Sequence, residues 1–240
     1  MKILTFDIWG DYGHFRKFYT TSSPLTFSFP PPSTILGILG AIYGAGKNEY
    51  LDMFSFDKCH LALKIVASVK KVRMGINLIN TKGNYWIPYR NKYHQPRTQI
   101  RTEFLKDPHF RIYFTHNDNT IFKTIVQLVE EHRSIYTASL GLSELLADFR
   151  YIGEYDAKRM DNNSKVVEIV TPITESNLVA DGLEIETGKK YFKEKMPIVM
   201  NPERVIEKYD DVIFEPEGKT IKAAVNAYHK LENGENIAFF

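Results

Sequence analysis

The chain has 240 residues, 43% of them hydrophobic and 13% aromatic, which supplies a packed core and excludes a wholly disordered protein. Its single cysteine, Cys59, excludes an internal disulfide, no apolar run approaches the ~20 residues of a membrane helix, and Asp7 and Asp11 interrupt any would-be signal peptide. The expectation is a soluble, cytoplasmic protein of one large or two small domains. The formal net charge of +2 conceals a division: Tyr12 to Thr102 carries +10, and Glu103 to Phe240 carries −7. Lys58 to Thr102 holds ten basic residues and no acid. Such asymmetry points to a polyanion such as nucleic acid, or to an ordinary basic face that folding supplies with acids from the other half.

Lys2 to Trp9 alternates loosely and is rich in β-formers, so it reads as a strand. Gly10 to Pro32 is a loop longer than ordinary connections, with the basic pair Arg16-Lys17 and a proline triplet, Pro30 to Pro32. The prolines force an extended entry into a helix over Ser33 to Gly46, capped by Ser33 or Thr34. Gly37, Gly40 and Gly44 each cost that helix roughly 1 kcal/mol relative to alanine, so a sheet or a ligand backbone is expected to come very close. A short second helix is expected over Glu49 to Phe56.

His60 to Val72 alternates as a strand with Leu61, Leu63 and Ile65 toward the core, and Phe110 to His116 repeats the pattern. Between them the residues from 74 to 107 are too polar and basic for a core, and read as a protruding hairpin arm. Its Arg90, Lys92, Arg97 and Arg101, with Arg16 and Lys17, can neutralise phosphates. Its Tyr85, Trp86, Tyr89 and Tyr93, with Phe15, can stack on unpaired bases or close a small cluster under the arm. Asn119 to His132 carries an amphipathic helical stripe capped by Asn119 or Thr120. A short helix capped by Ser143 and a strand over Phe149 to Tyr155 follow.

The order strand, helix, strand, strand, helix, strand is the βαββαβ ferredoxin-like plan, shared with RNA-recognition modules. The fold class is therefore α+β, with this unit over 1–157 and a smaller antiparallel β-rich region over 158–240. The expected strands of that region are Val166 to Thr171, Glu184 to Phe192, Val205 to Phe214, Thr220 to Ala227 and Ile237 to Phe240. Turns are expected at Asp181-Gly182, Glu217-Gly218 and Asn233-Gly234.

Seven scattered histidines and one cysteine show no metal-ligand spacing, and read as surface histidines; no metal or cofactor is expected. Gly46-Lys47 lacks the Ser or Thr of a phosphate loop, because Asn48 follows. Acid–base cleavage of RNA would draw on His14, Tyr43, Lys47, His94 or His116.

Trp9-Gly10, His14-Phe15-Arg16, Thr20 to Ser23, Phe29-Pro30, Ser33-Thr34 and Gly37 to Gly44, followed by Leu140-Gly141-Leu142-Ser143-Glu144, form an ordered set of motifs. Together they resemble the signature of the fifth CRISPR-associated (Cas) family, of the RAMP superfamily. The resemblance covers about a quarter of the chain. It implies a subunit of a type I Cascade complex, of subtype I-B or I-A, that caps the 5′ handle of the CRISPR guide RNA (crRNA) in antiviral defence. On it, His14, Phe15, Arg16, Lys17, Thr20, Thr21, Ser23, Tyr43 and Lys47 would bind the handle. Trp86, Arg90, Lys92, Arg97 and Arg101 would lie on a thumb inserted between guide and target. Partners would be a backbone subunit, the large subunit and, through the guide, target DNA. Some relatives cleave precursor RNA with a tyrosine and a Lys-His pair. Tyr43 can match the tyrosine, with His116 and Lys47 as the other candidates, but Thr115 precedes His116. The expected role is therefore non-catalytic RNA binding, with a metal-independent endoribonuclease as the alternative. A protein-interaction subunit whose basic half meets an acidic partner is the third reading.

Overall fold

The computed structural model describes residues 1–20, 23–80, 92, 95–161 and 165–240. In chain order the first elements are β1 (Lys2–Trp9), β2 (Tyr12–Gly13), α1 (Pro32–Tyr43), α2 (Tyr50–Met53), β3 (Cys59–Ile65), β4 (Lys71–Ile79), β5 (Arg97–Lys106), β6 (His109–His116), α3 (Asn119–Glu130) and β7 (Asp148–Asp161). Then come β8 (Val166–Ile169), β9 (Ile173–Thr174), β10 (Leu178–Glu184), β11 (Phe192–Met200), β12 (Ile206–Phe214), β13 (Ile221–Val225), β14 (Ala227–Leu231) and β15 (Asn236–Ile237). The fold is α+β, with antiparallel sheets throughout.

The main sheet has the order β15-β14-β7-β1-β6-β3. Strand alternation builds its core in layers: Leu4 lies opposite Phe114, Phe6 opposite Ile112 and Ile8 opposite Phe110, while Leu61, Leu63 and Ile65 face the same three residues of β6 from the other side. Ile35, Leu39 and Ile42 of α1 and Phe122, Ile125 and Val129 of α3 join this core. On the opposite face, Ile3, Tyr113, Leu231 and Ile237 form a second cluster. There Asp7, 1% exposed, is held by Arg111 directly across the ladder, Nε to Oδ1 at 2.7 Å.

The arm is the β4–β5 hairpin, joined at its base by β2. The C-terminal strands form two further sheets, β10-β13-β8 and β11-β12-β9, while β14 and β15 return to the main sheet. Met196, Ile198, Val212 and Phe214 of β11 and β12 are buried in the main core.

Several local expectations need correction. The strand expected over 60–72 stops at Ile65, because Val69 N–H turns to the Pro216 carbonyl at 2.8 Å and releases the chain into the arm. The helix expected at Ser143 is a tight loop closed by the Ser139–Leu146 bridge, and Ser143 Oγ bonds Glu144 instead of capping. Helix α1 has Pro31 at its N-cap and no side-chain cap, so Ser33 and Thr34 do not serve. Helix α3 is capped by Asp118, whose carboxylate accepts from the N–H groups of Thr120 and Ile121. Asp181-Gly182 is a bulge inside β10, not a turn, and 185–191 separates two strands instead of forming one. Among the histidines, His14, His116 and His229 are buried, not on the surface.

The close neighbour of Gly37 and Gly40 is Tyr50 of α2, whereas Gly44 caps the helix end at φ +91° against Ile135. A Cβ on Gly40 would lie 2.9 Å from Tyr50 Cβ, whereas one on Gly37 would meet only a Tyr50 ring atom at 3.8 Å. Gly40→Ala should therefore destabilise the protein by about 1–3 kcal/mol through overpacking. Gly37→Ala should be neutral or stabilising by up to about 1 kcal/mol, and denaturant unfolding of the two variants separates them.

Burial, then the nearby His60 and Arg159 charges, push the His229 imidazole down to about 4. The unfolded chain binds that proton near the ordinary value of 6.5 and the native state does not, so stability should fall between about pH 6.5 and 4. The loss is at most about 3 kcal/mol. His229→Phe should flatten that acid limb in unfolding measured against pH.

Candidate nucleic-acid interface

The loop after β2 and the loop before β7 are locked by backbone contact. His14 N–H donates to the Leu140 carbonyl at 2.9 Å, and a Cβ on Gly141 (φ +102°) would fall 1.9 Å from His14 O. The two motifs that stand well over a hundred residues apart in sequence thus meet. Beside them, on the first turns of α1, lies a cavity of about 360 Å³ lined by Ser33, Thr34, Gly37, Thr137, Ser139 and Gly141 among others. No acidic residue stands in the first turn of α1, so its positive end is uncompensated by charge.

His14 is 4% exposed, with Nδ1 2.7 Å from the Glu103 carbonyl; burial lowers its pKa despite that bond. Phe15 is 3% exposed, beside Phe110 in the core, so it does not present a face for base stacking. Both side chains are packed inside the fold. Arg16 is exposed, its Nη2 donating to the Thr20 carbonyl at 3.1 Å. Thr20 is half-buried and returns its hydroxyl to the Lys17 carbonyl at 2.8 Å. Ser23 is exposed, and Thr21 lies outside the described residues.

Lys17 points inward to Glu194 of β11, Nζ to Oε1 at 3.2 Å. Glu194 also accepts from Ser28 Oγ at 2.8 Å and Ser28 N–H at 3.1 Å, and stands 3.6 Å from Lys71 Nζ. Burial opposes the Lys17 charge, but the Glu194 charge and hydrogen bond outweigh it and raise its pKa. The stabilisation is fully present below the ordinary lysine value and is lost only as pH rises through the raised one.

On the arm, Lys71, Arg73, Arg97 and Arg101 share one face, opposite Leu105, Glu103, Ile79 and Gly75 respectively. Arg73 and Lys71 are tied to Glu103 at 3.4 and 3.8 Å. Arg97 and Arg101 are exposed, with no carboxylate partner among the described residues. Lys92 is exposed; Trp86 and Arg90, with Tyr85, Tyr89, Tyr93 and His94, lie outside the described residues.

Tyr43 is half-buried with its ring 6.3 Å from Phe54, and His116 meets Phe54 at 5.9 Å. His116 Nδ1 accepts from Asp118 N–H at 2.9 Å, so Nε2 carries the proton it donates to the Met53 carbonyl at 3.0 Å. Lys47 is exposed, and its carbonyl accepts from Arg204. No hydrogen bond joins Tyr43, Lys47 and His116 among the described residues. Nor do three His, Cys, Asp or Glu side chains gather among them as a metal site.

Sequence reasoning missed Glu194 and Glu103. Their only signal was that the basic half must find acids in the other half, and nothing in the chain says which. Glu194→Gln should keep acceptor capacity for Ser28 but strip Lys17 of its countercharge, destabilising by about 1–3 kcal/mol. Lys17→Met in that background should recover part of the loss, and a double-mutant cycle in denaturant unfolding reads the coupling.

The sequence matches the family described as CRISPR-associated protein (Cas_Cas5) over residues 3–213. No curated protein sequence matches it significantly. Among solved structures, a CRISPR protein from Archaeoglobus fulgidus aligns with TM-score 0.57 and 13% identity, covering 99% of this chain and 98% of that one. A chain of a CRISPR RNA-guided surveillance complex aligns with TM-score 0.48 and 11% identity, covering 92% and 91%. A chain of a Type III-B Cmr-beta complex bound to cognate target RNA aligns with TM-score 0.48 and 12% identity, covering 92% and 86%.

Proposed function

Because the chain belongs to the CRISPR-associated protein (Cas_Cas5) family, we propose that it is a non-catalytic RNA-binding subunit of a type I Cascade complex that holds the 5′ handle of crRNA. The observation that carries this reading is the docking of the 140–141 turn onto His14, which brings Gly141 to the cavity at α1 and fixes the loop that carries the exposed Arg16. Hydroxyls, small residues and the positive end of a helix suit a sugar–phosphate backbone, which needs close approach and donors more than base-specific groups. Arg97 and Arg101 on the arm supply further phosphate contacts.

In this reading residues 1–157 are the ferredoxin-like RNA-binding unit, supported by the order β7-β1-β6-β3 with α1 and α3 as its crossovers. Residues 158–240 are the β-rich region that completes its back, and the arm at 74–107 is the thumb. Partners are a backbone subunit and the large subunit, with target DNA reached through the guide, in the cytoplasm. Among the described residues no helix is long and apolar enough to cross a membrane. The non-catalytic assignment is supported by His116, whose two ring nitrogens are both committed to backbone groups.

The test is incubation of the purified chain with end-labelled cognate repeat RNA in the absence of metal. Binding without cleavage is expected. Arg16→Ala should weaken it and lower the salt slope by about one, and Arg97→Ala with Arg101→Ala by about two. Lys17→Ala should act chiefly on stability, since its charge is already satisfied by Glu194. Discrete cutting within the repeat, abolished by Tyr43→Phe or His116→Ala, would replace this reading with a processing endoribonuclease. Binding that ignores RNA sequence and end would favour a surface meant for an acidic protein.

A further inference from the structure

Three aromatic rings meet in solvent where the loop after β2 passes the β11–β12 hairpin. Phe18 is 49% exposed, Tyr19 56% and Tyr209 39%. The Phe18 centroid lies 5.0 Å from that of Tyr19, edge to face, and 5.0 Å from that of Tyr209, tilted at 48°. Exposed apolar residues scattered singly need no explanation, but rings joined in one patch do.

Loop architecture does not account for them. The loop is already held by Lys17 N–H on the Leu25 carbonyl at 2.8 Å, by the Arg16–Thr26 bridge and by the Lys17–Glu194 pair. The contacts among the three rings use part of each and leave the rest to water.

The surrounding charge selects a ligand class. Lys195 Nζ stands 5.9 Å from the Tyr209 centroid, on the same face of the hairpin, and has no carboxylate partner among the described residues. Arg16 opens the same loop, its guanidinium bonded among the described residues to the Thr20 carbonyl and to no carboxylate. Asp211, which lies opposite Lys195 in the ladder, is bridged by Lys193 at 3.2 Å, a lysine shared with Glu175 at 2.8 Å; Glu207, two residues before Tyr209, is exposed, and Asp210 alternates to the other face. Aromatic faces beside unpaired cations match single-stranded nucleic acid, in which base stacking and phosphate contact alternate. A protein-docking core would be poor in charge instead.

We propose that Phe18, Tyr19 and Tyr209 form a stacking platform for unpaired RNA bases, with Lys195 and Arg16 meeting the flanking phosphates. The proposal rests on the RNA-binding reading above and extends its surface from the loop to the C-terminal β-rich region.

The experiment measures equilibrium binding of the intact chain to labelled repeat RNA and to an abasic strand of equal length, across a salt series. Phe18→Ala and Tyr209→Ala should each weaken repeat-RNA binding roughly five- to a hundredfold. They should leave abasic-strand affinity and the salt slope unchanged, and Phe18→Trp should restore binding. Lys195→Ala should lower the salt slope by about one. Unfolding transitions of the variants establish that the fold persists. If wild-type protein binds repeat RNA and the alanine variants bind it equally well, the platform is overturned while the RNA-binding reading stands. Equal losses on the abasic strand overturn stacking, as does intact RNA affinity with lost association to a protein subunit. Failure of the wild type to bind any RNA overturns both.

Discussion

One carboxylate, Glu194, ties together three stretches that the sequence keeps far apart. From β11 it accepts from Lys17, from the hydroxyl and N–H of Ser28, and faces Lys71 at the root of the arm. A carboxylate this enclosed would be costly unpaired, and its donors would be costly without it. The loop, the arm base and the C-terminal strands therefore hold one arrangement together or lose it together. Its consequence for function is a sorting of cations. Lys17, Lys71 and Arg73 are spent on Glu194 and Glu103, as Lys64 is on Glu235 and Arg111 on Asp7. Among the described residues, Arg16, Arg97, Arg101 and Lys195 are exposed without a carboxylate partner in this way.

The frame that displays those cations is set by backbone approach. Gly141 lies under the His14 carbonyl, and Gly10 lies where a Cβ would stand 2.6 Å from the Leu146 carbonyl. Both ends of the 140–146 loop are thus clamped to the chain leaving β1. His14 and Phe15 are the parts of the clamp whose side chains go inside. Their burial is what makes the position of Arg16, the next residue, well defined.

The main sheet was legible because its signals are local. Period-two alternation in β1, β3 and β6, and the 3.6-period stripe of α3, each follow from which side of an element meets the core. The basic arm was legible because charge excluded it from the core. What failed were sites where a distant partner overrides a local preference. Ser143 has a helix-cap side chain, but the Ser139–Leu146 bridge and the Leu140 N–H bond to the Leu145 carbonyl turn the chain back on itself there. Asp181-Gly182 has turn chemistry, but pairing with β13 on either side makes it a bulge. Ser33 and Thr34 follow prolines that already set the helix entry, so the cap passed to Pro31.

The charge asymmetry of the sequence is partly spent inside the fold, and only the ion-pair partners show which part. A run of ten cations without an acid invites the inference of a wholly free basic surface. Folding returns acids to the base of the arm and to the inner side of the loop, and leaves Arg16, Arg97 and Arg101 without a carboxylate partner among the described residues. Electrostatic attraction of a polyanion depends on those residual charges, not on the formal count, because paired charges contribute fields that fall off as dipoles. The same logic governs the aromatics. Phe15 and Phe18 are three residues apart and equally suited to stacking by composition. One closes the core against Phe110, and the other stands in water against Tyr209. Which of them can meet a base is decided by the clamp at His14, since the chain that turns inward there must turn outward three residues later.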